Sequence, residues 1–302
     1  MALIKYRKIW YALSIILIGF SIWAVSARGF KLSIDFVGGT LTEVSYKDDR
    51  PVQSSLEYLI NDTLDIGIFS LRASGDKNYV IRTRGLDQEE KQKLNNILGG
   101  TVERQTTIGP TAGRELQSKA VKAILVVIVM IVLFITFAFR KVSPPAGPGG
   151  QASPPSSWKY GFATIIALAH DVIIPMGVFV ILGHEIDLLF VTGLLAILGY
   201  SVHDTIVVFD RVRENLQTNH DQNRQEEFEM VVGKSVNQTF GRSINTSLTI
   251  FLMLLALYLF GSPVTQNFSL LLIIGLIAGT YSSIFIASPL LVTFYNLQRK
   301  VE

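Results

Sequence analysis

Acid, base and guanidinium groups occur in this chain where ionisable chemistry is expensive to maintain. His170 and Asp171 are adjacent in the apolar run "FATIIALAHDVIIPMGVFVIL", His203 and Asp204 share "LLFVTGLLAILGYSVHDTIVVF", and Arg242 stands at the entrance of "SINTSLTIFLMLLALYLF". An ionisable side chain at the centre of a membrane helix costs at least ~2.5 kcal/mol, so it faces a partner or a wet crevice and marks an ion or proton path by default. Helical spacing assigns the neighbours. Gln238, Thr239, Asn245, Thr246 and Thr249 lie three, four or seven residues from Arg242 and form one polar stripe with it. Tyr200, Ser201 and Arg211 share a face with Asp204 in the same way. The helices carrying Asp204 and Arg242 run in opposite directions, so the two groups are expected at similar depth and as partners.

Two readings of that pair remain open. One is a buried ion pair that fixes helix register. The other is a proton relay through Asp204, Arg242 and Asp171, in which Arg242 stabilises the charged form of Asp204 in one conformation and withdraws in the other. His203 favours the relay, since imidazole exchanges protons near neutrality. His203, His170, Thr246 and Asn245 are read as relay or packing residues. Gly275 and Gly279, four apart, suit close helix packing, and Pro175 and Pro289 suit kinks. Ser282, Ser283 and Ser288 are expected to bond to backbone, with no chemistry assigned to them.

Enzyme chemistry is not expected. No Ser/His/Asp or metal-ligand constellation lies at matching depth, His184 and His220 fall in loops, and no phosphate-cradling glycine loop is present. The absence of cysteine removes disulfides and thiolate chemistry. No cofactor, metal or nucleic acid is implied.

The elements that must position these groups are membrane spans. Hydrophobic residues make up 49% of the chain and charged ones only 17%, with a mean hydropathy of +0.39. The apolar residues gather in six runs, Ile9 to Val25, Val121 to Phe139, Phe162 to Leu182, Leu188 to Phe209, Ser243 to Phe260 and Phe268 to Tyr295, close to or beyond the ~20 residues that cross a bilayer. Basic residues flank alternate ends: Lys5, Arg7 and Lys8; Arg140, Lys141 and Lys159; Arg211, Arg213, Arg224 and Lys234; Arg299 and Lys300. The short connections at 183–187 and 261–267 carry none. Both termini are therefore expected in the cytoplasm. The N-terminal run followed by "AVSARG" also fits a cleavable signal peptide, but it is long for that role.

Residues 30 to 118 are polar and are expected outside, in the periplasm. "FKLSIDFVGGTLTEVSY" alternates like a strand with a bulge at Gly38 and Gly39, and "PVQSSLEYLINDTL" reads as an amphipathic helix. "IGIFSLRA" and "NYVIRTRG" form a hairpin about Ser74 to Lys77, followed by a helix, "LDQEEKQKLNNIL", and a strand, "TVERQTTIG". Strand, helix, strand, strand, helix, strand is the order of an α+β ferredoxin-like domain. The fold class is thus a polytopic α-helical membrane protein: an N-terminal segment and first transmembrane helix over 1–29, the exterior domain over 30–118, a second helix over 119–140, a flexible linker over 141–159, and helices three to six over 160–302 with a cytoplasmic loop at 211–234. The linker contains "PPAGPGGQASPPSS", too rich in Pro and Gly to pack. "EEFEMVV" is expected as a short surface helix or a solvated loop.

Ordered motifs also carry a family resemblance. "DFVGGT", "IGPTAGREL", "HD", "GYSVHDTIVVFDRVREN", "NQTFGRSINTSLT" and "GTYSSIFIASPLL" occur in sequence along nearly the whole chain, and in this the chain resembles the SecF members of the SecD/SecF protein-export family, within the resistance-nodulation-division superfamily. The resemblance implies a subunit of the bacterial cytoplasmic (inner) membrane that pairs with SecD beside SecYEG. It further implies that the proton motive force draws unfolded secretory polypeptide outward after SecA has pushed it through. The family's intramembrane carboxylate corresponds to Asp204 and its arginine to Arg242; the family pattern has Asn where this chain has His203. A small-molecule or lipid exporter of the same superfamily and a structural scaffold for a SecD-like partner are the alternatives.

Overall fold

In the lipid core no water is available for unpaired backbone groups, so each long apolar run closes its hydrogen bonds internally as a helix. The computed structural model describes residues 2–67, 69–140, 157–222, 224 and 226–299. Its helices are α1 (Ala2–Lys5), α2 (Arg7–Arg28), α3 (Ile34–Val37), α4 (Gln53–Thr63), α5 (Gln88–Leu98), α6 (Pro110–Ala138), α7 (Ser157–Ile181), α8 (Leu188–Asp221), α9 (Phe228–Phe260), α10 (Pro263–Ser282) and α11 (Ser288–Arg299). A π-helical turn, Ser283–Ala287, joins the last two. The strands are β1 (Gly39–Ser45), β2 (Ser70–Ser74), β3 (Asn78–Thr83) and β4 (Thr101–Ile108). Among the described residues, six segments are long and apolar enough to cross a membrane: α2, α6, α7, α8, α9, and Thr265–Leu297.

The chain divides into two compact units. One holds Met1–Phe30, Ala123–His184 and Phe190–Glu302; the other holds Lys31–Lys122 with Glu185–Leu189. The second is an antiparallel sheet in the order β2-β3-β1-β4. Val44, Leu71, Tyr79 and Ile81 from one face of that sheet bury against Leu56 and Ile60 of α4 and Leu94 and Leu98 of α5. Asp87 caps α5 through the Glu90 amide while the Glu90 carboxylate accepts from the Asp87 amide, a reciprocal capping box.

Local structure departs from the expected strand before β1. Ser33 caps the turn α3 by accepting from the Asp35 amide at 3.2 Å, and strand pairing begins only at Gly39. Gly38 and Gly39 adopt φ of 81° and 139°. A Cβ on Gly39 would meet the Thr83 carbonyl, and one on Gly38 would lie 2.8 Å from Pro110, so the glycine pair is a steric requirement rather than a bulge. The register shift falls between Glu43 and Val44 instead.

In the helical unit, Phe139, Tyr160 and Phe209 form a buried aromatic triad with centroids 5.3 to 5.8 Å apart. Lys159, Tyr160 and Ser157 belong to α7, so the expected linker ends earlier on this side; residues 141–156 lie outside the described residues. Gly275 and Gly279 on α10 sit against Ile197 and Ser201 on α8; a Cβ on Gly275 would collide with Ile197, and one on Gly279 would lie a tight 3.1 Å from Ser201 Cβ. The expected loop at 211–234 is mostly helical, because α8 continues to Asp221 and α9 begins at Phe228. No Gly or Pro interrupts 200–221, and a 34-residue helix is about 51 Å long at 1.5 Å per residue. Charged residues such as Arg211 and Glu214 sit on the part that outruns a ~30 Å hydrocarbon layer. The "EEFEMVV" segment opens α9 rather than forming a separate surface helix.

Candidate functional site

Helices α8 and α9 pair antiparallel through a ladder of polar contacts. Asn215 donates to Ser235 Oγ and to Gln238 Oε1 at 2.8 Å each, and Arg211 donates to Gln238 Oε1 at 2.7 Å. Ser243 Oγ donates to Asp204 Oδ1 at 2.6 Å, and the hydroxyls of Tyr200 and Ser247 lie 2.7 Å apart. Ser247 in turn reaches Thr280 of α10 at 2.7 Å. Asp204 is only 5% exposed, and its Oδ2 is buried without a hydrogen-bond partner among the described residues.

The expected Asp204–Arg242 pair is absent from this arrangement. Arg242 is exposed, on a face of α9 that the chain itself does not cover, and it makes no ion pair with Asp204. The reason is angular. Consecutive helical residues are about 100° apart, and the position turned toward α8 belongs to Ser243, whose small hydroxyl permits close approach. Asn245 and Thr246 are exposed beside Arg242, and His203 is exposed on α8. Arg242, Asn245, Thr246 and Thr249 thus face outward from this subunit, whereas Gln238 contacts α8 and Thr239 is buried.

Asp171 is the centre of a second cluster. It is fully buried; its Oδ1 lies 2.9 Å from His170 Nδ1, and its Oδ2 accepts from Ser282 Oγ at 2.7 Å and from Ser201 Oγ. His170 stacks on Tyr281 with centroids 5.6 Å apart, and its Nε2 is buried without a partner. Asp171 therefore ties α7 to α8 and α10 through two contacts, with Ser201 and Ser282, whereas Asp204 has one donor among the described residues. Ser283 binds the Thr205 hydroxyl at 2.8 Å and the Ser201 carbonyl at 3.4 Å. The π turn lies here, a feature frequent at functional sites. Pro289 has no amide hydrogen for the Phe285 carbonyl, and the turn before it widens.

Ser201, Ser243 and Ser282 are the site residues that sequence reasoning missed as partners of the two carboxylates. Ser282 bonds to backbone as expected, at the Gly279 carbonyl, and it also donates to the Asp171 carboxylate. Ser201 stands three residues before Asp204, a signal present in the spacing; Ser243 was concealed by the larger charge next to it. No group of three or more His, Cys, Asp or Glu able to hold a metal occurs among the described residues.

Six apolar helices, a ferredoxin-like domain and carboxyl groups buried between helices define a multi-pass transport component of a membrane. The protein-family model for SecD/SecF export membrane proteins, C-terminal, matches residues 90–146 and 156–297, and that for the SecD/SecF GG motif matches 23–49. The chain is 39% identical to the protein translocase subunit SecF of Thermobaculum terrenum over 97% of its own length and 94% of the relative's. With SecF of Haemophilus influenzae it shares 34% over 94% of this chain and 82% of that one. The crystal structure of SecDF from Thermus thermophilus superposes with a TM-score of 0.84 at 31% identity, covering 98% of this chain and 39% of that longer one. The chain belongs to the SecD/SecF protein-export family, as a SecF-type subunit, and its relatives are protein translocase subunits.

Proposed function

We propose that this subunit works with a SecD partner beside SecYEG in the bacterial inner membrane. There it uses the proton gradient to draw unfolded secretory polypeptide outward after SecA has acted. Both termini are cytoplasmic and residues 30–118 periplasmic in this reading, supported by the basic residues at alternate helix ends. A SecD partner is supported by the uncovered polar faces. Arg242, Asn245, Thr246 and His203 are exposed on this chain within its long apolar helices, and polar and ionisable groups on a membrane helix face a partner or a wet cavity rather than lipid. A second membrane subunit covering them supplies that partner, and the SecDF relative carries a much longer chain than this one.

The observation that carries the reading is Asp204: buried, held by Ser243 through one oxygen, with the other vacant. The single donor supports a reading in which Asp204 takes a proton while Ser243 is its partner and meets Arg242 when the proton leaves. Rotation of α9 toward α8 exchanges one for the other. Asp171, bound by three neighbours, is a hub that holds the helices around the moving pair. A proton descending 100 mV releases ~2.3 kcal/mol, comparable with the few kcal/mol between two packed conformations. No cofactor enters the scheme; the gradient is the energy source.

Asp204→Asn is expected to accumulate and to co-purify with SecD as the parent does. In membrane vesicles its export with a gradient should fall to the level seen with an uncoupler. Undiminished gradient-dependent export in this variant overturns the relay.

A further inference from the structure

The connection between α7 and α8 is built into the exterior domain. Residues Glu185–Leu189 group with Lys31–Lys122 rather than with the helices they join. Leu32 and Ile186 form a parallel bridge, with the Ser33 amide donating to the Ile186 carbonyl at 2.9 Å and the Ile186 amide to the Lys31 carbonyl at 2.8 Å. Asp35 Oδ2 accepts from the Leu188 amide at 3.0 Å. Leu188 is the first residue of α8, and the opening amides of a helix have no partner inside it, so a carboxylate from elsewhere in the chain satisfies one and favours the positive end of the helix dipole. Glu185 Oε1 accepts from Arg82 on β3 and lies 3.4 Å from Arg72 on β2. Since Arg82 pairs with Ser70 and Arg72 with Val80, both guanidiniums rise from one face of the sheet.

The turn that presents Asp35 is itself clamped. A Cβ on Gly113, in the first turn of α6, would lie 2.9 Å from the Phe36 carbonyl, and Gly38 and Gly39 touch Pro110 and Thr83. From Leu188, α8 runs without a break past Asp204, sixteen residues or about 24 Å along the axis at 1.5 Å per residue. Helix α8 therefore begins in the exterior domain and continues without a break to Asp204.

We propose that Asp35, with Glu185 and its two arginines, is a coupling joint: it fixes the start of α8 to the exterior domain, so that displacement of α8 at Asp204 is delivered to that domain. This rests on the relay reading above. The joint stays engaged throughout the cycle. Asp35 and Glu185 are positioning residues, acting through α8 and touching neither proton path nor cargo.

The test uses the full chain with its partner subunits in membrane vesicles, reading the ratio of export with and without a proton gradient. Asp35→Ala combined with Glu185→Ala should bring that ratio close to one, as Asp204→Asn does, with normal accumulation of the subunit. Asp35→Asn, which still offers a capping oxygen, should retain it. The chain has no cysteine, so Leu32→Cys with Ile186→Cys introduces a single pair at bridged positions. Its oxidation in the Asp35→Ala, Glu185→Ala background should restore the ratio, and reduction should abolish it again. Oxidation in the parent background should leave the ratio unchanged. If the double variant fails to accumulate, Asp35→Ala alone is read in the same way. The joint is overturned if the undocked variants keep the parent ratio, if the disulfide forms without restoring it, or if locking the parent lowers it. Loss with Asp204→Asn but not with the joint variants removes the joint and leaves the relay; retention with Asp204→Asn removes the relay itself.

Discussion

At Asp204 a single hydroxyl decides how the carboxyl group is held. Ser243 supplies its one hydrogen bond, and removing the donor leaves both oxygens of a buried acid without a partner. Such a loss costs ~1–3 kcal/mol, and 1.4 kcal/mol is a tenfold change in an equilibrium. Ser243→Ala is therefore expected to lower gradient-dependent export about tenfold or more without reducing the amount of subunit in the membrane, while Ser243→Thr, which keeps the hydroxyl, retains most of it. Equal export from the alanine and parent proteins in uncoupler-controlled vesicles would show that the serine contributes only packing. Asp171 is a different case, since three neighbours from three helices share its two oxygens. Its replacement should reduce accumulation as well as export.

Among the elements, the crossing of α8 and α10 depends on the absence of side chains. Gly275 faces Ile197 and Gly279 faces Ser201, four residues apart on each helix, which is the small-residue contact that lets membrane helices approach closely. Ser201 in that contact is also a ligand of Asp171, so the approach of the two backbones and the polar cluster are coupled. Gly275→Leu would overfill the contact, an error that typically costs about 1–3 kcal/mol. Thermal unfolding of the detergent-solubilised protein should show that loss, and Ile197→Ala in the same chain should recover most of it. If the second substitution adds to the damage, the two residues do not share the contact.

For the molecule as a whole, the proposed orientation rests on where the basic residues lie. Asp76 is in the exposed hairpin turn of the exterior domain and His220 in the exposed last turn of α8. In a chain without native cysteine, a cysteine at Asp76 should react with a membrane-impermeant maleimide from outside intact cells. One at His220 should react only from inside, in inverted vesicles. The reverse pattern would invert the topology and place the exterior domain on the side where the polypeptide enters. The polar residues left uncovered on α8 and α9 also belong to this scale, because in the proposed assembly a second subunit covers that face.

The sequence alone determined the six spans, the order of the exterior domain and the positions of the intramembrane acids. Hydrophobic run length, period-two alternation and the cost of charge in hydrocarbon are local quantities that can be read along one strand of text. Helix ends were less legible: α8 continues past Phe209 because a helix needs no apolar residues once it leaves the lipid. Glycines Gly38 and Gly39 resembled a bulge until Thr83 and Pro110, distant in sequence, were seen against them. Partnership was decided only by the tertiary structure. Arg242 and Ser243 are neighbours in the chain, yet the rotation of α9 about its axis turned the hydroxyl toward Asp204 and the guanidinium away. The docking of Glu185–Leu189 on the exterior domain was invisible for the same reason: it joins residues some 150 apart in the chain, as Asp35 and Leu188 are 153 apart, through contacts that only the closed fold creates.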